Sequence, residues 1–172
     1  MSKKCVIITA PGFQDEEVVY PYYRLIEEGH SVEVATKDGA VVYGKYGVPA
    51  RATMATTDLK SANFDCVILP GGFEAPDRVR LLPEVQVFVR EMDEQKKLVA
   101  AICHGPWIMI SAKVCKGRKM TAFWSIEEDI RNSGADYQHK APVVIDDNFI
   151  TSPHYNNNGD FMKAVVSYLN NK

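Results

Sequence analysis

Five small or branched apolar residues, Leu98-Val99-Ala100-Ala101-Ile102, run without interruption into Cys103-His104-Gly105-Pro106-Trp107. An unbroken run of this kind lacks the apolar/polar alternation of a half-exposed strand, so it reads as a parallel strand covered on both faces; it is far too short to span a bilayer. Trp107 to Ile110 continue the apolar character, and Pro106 falls where the first turn of a helix tolerates proline. The stretch predicts a buried strand, a sharp turn carrying Cys103, and a helix. A thiol there lies at a helix N-terminus, where unpaired N–H groups and the macrodipole favour an anion, which predicts a lowered pKa and a nucleophile. A lone cysteine on an apolar strand is more often simply core. The position at the turn and the adjacent histidine favour the nucleophile.

Composition narrows the class. A chain of 172 residues, 46% hydrophobic and 24% charged, suits one globular domain over residues 1–172 with a sizeable core. A formal net charge of -2 with scattered Lys and Arg leaves no electrostatic footprint for nucleic acid or an anionic membrane, and neither is expected as a partner. The apolar piece near the N-terminus passes straight into Pro11-Gly12, too short for a signal segment, so a cytoplasmic location is expected. Cys5, Cys66, Cys103 and Cys115 include no C-x-x-C pair and read as reduced thiols; no metal and no cofactor is expected.

Taken in order, the chain alternates strands and helices. Strands are predicted at Lys4 to Thr9, Ser31 to Thr36, Asp65 to Leu69, Leu98 to Ile102, a short piece to Thr121, Val143 to Ile145 and Phe149 to Thr151. Helices are predicted from Val18 toward Gly29, over Pro83 to Lys97, after Pro106, over Ser125 to Asn132 and from about Asp160. Pro21 falls inside the first helix, where it predicts a lost backbone hydrogen bond and a kink. Asp38-Gly39 signals a tight turn, followed by a small antiparallel excursion made of Val41 to Tyr43 and Tyr46 to Val48. This alternation implies a mostly parallel sheet with helices on both faces and right-handed crossovers. Ligands of such sheets bind beyond the carboxyl ends of the strands, where Pro11 to Glu17, Pro70 to Asp77 and Cys103-His104 all leave the sheet.

A cysteine nucleophile needs a route to the thiolate, donors for an oxyanion and a group that moves protons. Backbone N–H groups at Gly72 and His104 are candidates for the donors, because a Gly-Gly turn lets backbone approach a ligand closely. Asp15, Glu16 and Glu17 are consecutive acids at a helix start, where acids commonly just complement the dipole. Glu17 precedes the apolar stripe and is expected to face the interior, where burial and a thiolate neighbour both raise its pKa. His104 need not pair with Cys103, since neighbours at such a turn often point apart. His30, His139 and His154 show no metal-ligand spacing and read as surface or turn residues.

Several motifs together resemble the PfpI family: Ala101-Ile102-Cys103-His104-Gly105-Pro106; Pro70-Gly71-Gly72 with Ala75-Pro76-Asp77-Arg78-Val79-Arg80; Glu17 four residues before Pro21; Tyr20-Pro21-Tyr22 with Arg24-Leu25 and Glu28-Gly29-His30; and Gly117-Arg118-Lys119. That family lies in the superfamily of the Parkinson-disease-associated deglycase, related to class I glutamine amidotransferases, and the resemblance spans essentially the whole chain. It implies a flavodoxin-like three-layer sandwich with Cys103 on a strained nucleophile elbow, Glu17 hydrogen-bonded to the Cys103 sulfur, and an oxyanion hole at Gly72 and His104. It further implies that Asp77 takes the place of the acid reaching His104 across a subunit interface, hence a homo-oligomer, a dimer or hexamer. Gly71, Phe123, Trp124 and His154 are expected at the pocket. The implied activities are deglycation of glyoxal or methylglyoxal adducts and glutathione-independent glyoxalase chemistry on small carbonyls, with peptidase, redox-sensor and chaperone roles as alternatives. Two departures bear on substrate choice: Phe123 stands where relatives carry Tyr or His, and Ser152 to Asn158 replaces a Ser-Arg-x-Pro segment.

Overall fold

In the computed structural model, which describes residues 2–172, the apolar runs assemble as a seven-stranded sheet. Its strands are β1 (Lys4–Ile8), β2 (Ser31–Thr36), β5 (Met54–Ala55), β6 (Cys66–Leu69), β7 (Leu98–Ile102), β10 (Val144–Asp146) and β11 (Phe149–Ser152), in the order β10-β11-β7-β6-β1-β2-β5. Every pairing is parallel except β10 with β11. β6 and β7, the central strands, are buried at every residue, as continuous apolar sequence requires of strands covered on both faces.

Helices supply the covers. α1 (Asp15–Glu27) and α6 (Asn158–Asn170) pack together on one face, against β1, β2, β7 and β11. On the other face α3 (Pro83–Glu94) lies over β6 and β7 through Val85, Phe88, Val89 and Met92, its stripe at helical spacing. Around it sit α2 (Glu74–Val79), α4 (Pro106–Ser111) and α5 (Glu127–Asn132). Small two-stranded pairs complete the chain: β3 (Val42–Tyr43) with β4 (Pro49–Ala50), and β8 (Lys119–Met120) with β9 (Asp136–Tyr137). No helix is long and apolar enough to cross a membrane among the described residues.

The flavodoxin-like α/β expectation holds, with local differences that have physical causes. The antiparallel excursion pairs Val42–Tyr43 with Pro49–Ala50, because 44–48 closes as a turn through the Gly44 amide on the Val48 carbonyl at 2.9 Å. The first helix begins at Asp15, three residues before its apolar stripe, and continues through the buried Pro21 to Glu27. α3 stops at Glu94, since Lys96 adopts φ 55° and ends the helical run. α2, β5 and β9 were not foreseen: they are too short to show periodicity.

Candidate active site

The turn after β7 is strained. Cys103 has φ 60°, a conformation costly for any residue with a Cβ, and is held there from both sides: its amide donates to the Ser152 carbonyl and its carbonyl accepts from the Phe123 amide, each at 2.9 Å. Gly105 allows the chain to leave this turn, because a Cβ there would come within 2.0 Å of the Leu69 carbonyl oxygen. The strained elbow implied by the family resemblance is present, and the thiol it carries is 6% exposed.

An acid, two backbone amides and an imidazole converge on that thiol. Glu17, fully buried on α1, accepts from the Gly71 amide on Oε2 at 2.6 Å, while its Oε1 is buried with no partner. Gly71 must be glycine: a Cβ there would lie 2.5 Å from the Cys103 Cβ and 2.7 Å from Glu17 Oε2. Burial lifts the Glu17 carboxyl from 4.5 to about 8, against the Gly71 hydrogen bond, so at neutral pH the acid keeps its proton. With Oε2 accepting an N–H, the proton belongs on Oε1. The backbone amides of Gly72 and His104 both favour an anion at the sulfur.

The lowered thiol pKa expected from the helix dipole is not found. Burial, then a negative charge on Glu17, push the Cys103 thiol up and outweigh the two amides. α4 is short and starts three residues beyond the thiol, so individual amides replace the macrodipole as the anion's support. The pair resists holding two negative charges, and proton position on Glu17 governs the sulfur.

His104 does turn toward its neighbour: Nδ1 lies 3.2 Å from Cys103 Sγ, and Nε2 is 3.3 Å from Ser125 Oγ. Burial, then the charge of Lys45, lower its pKa to about 4, so the imidazole is neutral at neutral pH. Its ring stacks on Phe123 at 4.8 Å and meets Trp107 edge-on at 5.0 Å. The stack continues outward from Phe123 to Trp124 (3.8 Å) and His154 (5.9 Å). Phe123 thus contributes a face where a polar ring would add a contact.

A cavity of about 410 Å³ opens over the thiol, lined by Cys103, His104, Gly72, Phe123 and His154 among the expected residues. Trp124 is mostly exposed on the outer side of Phe123, and Gly71 backs the thiol without lining the cavity. Asp77 stands apart: it is exposed on α2, in a surface concavity that it shares with Trp107. His30 corrects the surface assignment, being buried with Nδ1 accepting from the Lys3 amide, whereas His139 is exposed beside Glu127. Asp15 caps no dipole in isolation: its carboxylate accepts from the Tyr46 and Val48 amides at 3.0 and 2.9 Å, clamping the 44–48 turn. Asn158, from the departing segment, ties α6 to the Glu16 carbonyl at 3.1 Å.

Gln14, Lys45, Tyr46, Phe73, Ser125 and Tyr155 also line the cavity and were not anticipated. Gln14 and Phe73 belong to the segments Pro11 to Glu17 and Pro70 to Asp77 expected at this edge, whereas Lys45 and Tyr46 sit in a turn and Ser125 and Tyr155 in single 3₁₀ turns, too short to carry a periodic signal. No group of three or more His, Cys, Asp or Glu side chains able to hold a metal occurs among the described residues.

Comparison with known proteins agrees with this architecture. The family model described as DJ-1/PfpI family matches residues 3–168. A protein named Deglycase TK1284 from Thermococcus kodakarensis is 40% identical over 166 residues, covering 96% of this chain and 99% of its own. Deglycase PfpI from Pyrococcus furiosus is 39% identical over the same shares. A crystal structure of a two-domain protein from Anabaena variabilis, with DJ-1/ThiJ/PfpI-like and ferritin-like domains, superposes with a TM-score of 0.95 at 36% identity. The match covers 98% of this chain and 48% of that longer one. A strained cysteine elbow on a flavodoxin-like sheet, a family model spanning the chain and relatives near 40% identity lead to one conclusion: this chain belongs to the DJ-1/PfpI family.

Proposed function

We propose that the protein is a cysteine-dependent enzyme of small reactive carbonyls, acting as a deglycase of glyoxal or methylglyoxal adducts or as a glutathione-independent glyoxalase. One observation carries the reading: a buried acid that keeps its proton to about pH 8, with an unpartnered oxygen, backs a thiol that also faces two amides and a neutral imidazole. The family's deglycase-named relatives support the same reaction class.

With methylglyoxal, sulfur attacks the aldehyde carbon as the thiol proton passes to His104 Nδ1 and on to the carbonyl oxygen, giving a hemithioacetal. The Gly72 and His104 amides hold the oxyanion that forms on the way. A carboxyl group with a pKa near 8 reaches both protonation states close to neutral pH, as proton transfer demands. Glu17 in its carboxylate form takes the C1 proton and returns it to C2 while the C1 hydroxyl proton passes to the C2 oxygen, leaving a thioester; water then adds to the thioester carbon, and the C–S bond breaks to release lactate and the thiol. On a glycated amine, whose C1 already carries a hydroxyl and the amine nitrogen, sulfur takes the place of the amine: the C1–S bond forms, the C1–N bond breaks, the thiol proton leaves with the amine, and the resulting hemithioacetal follows the same course.

Asp77 acts, in this proposal, on a second copy of the chain. His104 Nε2 meets only the Ser125 hydroxyl in its own chain's hydrogen bonds, whereas Asp77 lies at a surface concavity with exposed Phe73 and Leu81. A dimer or hexamer that apposes these faces gives the imidazole a carboxylate.

The test incubates wild type, Cys103→Ala and Glu17→Gln with methylglyoxal in the absence of glutathione and follows lactate. Wild type alone forms it rapidly; equal rates in all three refute the reading. A peptidase reading draws on the 3.2 Å contact between Cys103 and His104. Cys103-dependent cleavage of casein without lactate formation puts that reading first.

A further inference from the structure

The turn between β3 and β4 brings a single lysine to the thiol. Lys45 lines the cavity with Cys103 and His104, and it is the one Lys or Arg to do so; no Asp or Glu lines it. The turn is built rather than loose: the Lys45 amide donates to the Phe13 carbonyl at 2.9 Å, and the Asp15 carboxylate clamps the amides on either side of Gly47.

The acids that could neutralise Lys45 are engaged elsewhere. Asp15 is taken by those amides, Glu16 accepts from the Gln14 side-chain Nε2 at 2.7 Å, and Glu17 accepts from the Gly71 amide and holds its own proton. The ammonium reaches the Gln14 side-chain oxygen only at 3.5 Å and lies 5.6 Å from the centre of the Phe73 ring. None of the ion pairs among the described residues includes it. An ammonium has three donors, and this one belongs to a residue that lines a cavity to which no acidic side chain among the described residues contributes.

We propose that Lys45 forms a carboxylate subsite, so that the favoured partners of Cys103 are small carbonyl compounds carrying a carboxylate close to the reacting carbon. The proposal rests on Cys103 being the nucleophile and names the substrate class for it. Lys45 is exposed, so water moderates the attraction and the expected preference is about fivefold.

The test is alkylation of Cys103 by iodoacetate and by iodoacetamide, two reagents of nearly equal size that differ in charge. In each, sulfur displaces iodide: the C–S bond forms, the C–I bond breaks and the thiol proton goes to buffer. The ratio of the two rates cancels changes in thiol basicity and access, whatever a substitution does to either rate alone. In wild type this ratio exceeds that of free cysteine in the same buffer by about fivefold. Lys45→Gln brings it down to the free value and Lys45→Arg retains it. A ratio unchanged in Lys45→Gln overturns the subsite. The measurement needs no carbonyl turnover: lactate formation with an unchanged ratio defeats the subsite alone, and a shifted ratio without lactate defeats the methylglyoxal reading alone.

Discussion

Cys66 and Cys103 are both buried thiols at the sheet centre, one inside a strand and one just past its end. Cys66 sits in β6, fully enclosed and in register with Cys5 on one side and Leu98 on the other. Burial pushes its thiol far up, and its neighbouring polar partner is another thiol. Burial pushes Cys103 up as well. The difference lies in what surrounds each sulfur: regular strand geometry gives Cys66 apolar walls, whereas the turn at φ 60° gives Cys103 two amides, an imidazole and an acid with a movable proton. Enclosure is therefore common to both, and what sets Cys103 apart is the polar groups that backbone strain gathers around it, the basis of the proposed reactivity.

Substituting each cysteine in turn breaks the comparison most sharply. Cys103→Ala lowers methylglyoxal turnover by ~10³-fold or more, the scale expected on losing a nucleophile. Cys66→Ala keeps the rate within about twofold and instead costs about 1–2 kcal/mol of stability on unfolding in urea, since only packing is lost.

Glu17→Gln separates the two roles of the acid. Turnover falls by ~10²–10⁴-fold because the amide cannot carry a proton. Stability moves the other way. Glu17 titrates at 4.5 in the unfolded chain and at about 8 in the fold, so its favourable contribution is full below pH 4.5 and is lost as the pH rises to about 8. The slope is about 1.4 kcal/mol per pH unit across that window. Urea titrations at a series of pH values show wild type losing stability over this interval relative to Glu17→Gln, which has no such proton to release.

Two finer substitutions sharpen the picture of the turn. Gly71→Ala places a Cβ against Cys103 and Glu17 together and lowers turnover by ~10²-fold through misplacement of reacting groups, measured as kcat/KM with the circular dichroism spectrum retained. Ser125→Ala removes the hydroxyl at His104 Nε2 and costs about tenfold or less in kcat, since the stack on Phe123 still holds the ring.

How much of this was legible in the sequence follows from how far each signal extends along the chain. The unbroken run at Leu98–Ile102 and the stripe in α3 announced the sheet and its cover, because burial on one or two faces imposes a pattern on consecutive residues. Glu17 was legible as inward-facing for the same reason. Lys45, Ser125 and Tyr155 were not: Lys45 reaches the cavity from a turn fixed by the long-range hydrogen bonds of Asp15, and Ser125 and Tyr155 from single 3₁₀ turns too short for a periodic signal. The expected direction of the thiol's pKa differs from the one found because position near a helix start is visible in sequence, while the depth to which the fold buries the sulfur, the largest cause of the upward shift, is not.

The central claim is tested most directly by reacting the native protein with limiting iodoacetamide at pH 7.5 and mapping which of the four cysteines carries the label over time. The account predicts that Cys103 is modified well before Cys5, Cys66 and Cys115, and that Glu17→Gln changes the Cys103 rate while leaving Cys66 untouched until the protein unfolds. Labelling of Cys103 and Cys115 at equal rates, or of Cys103 only upon global unfolding, contradicts it.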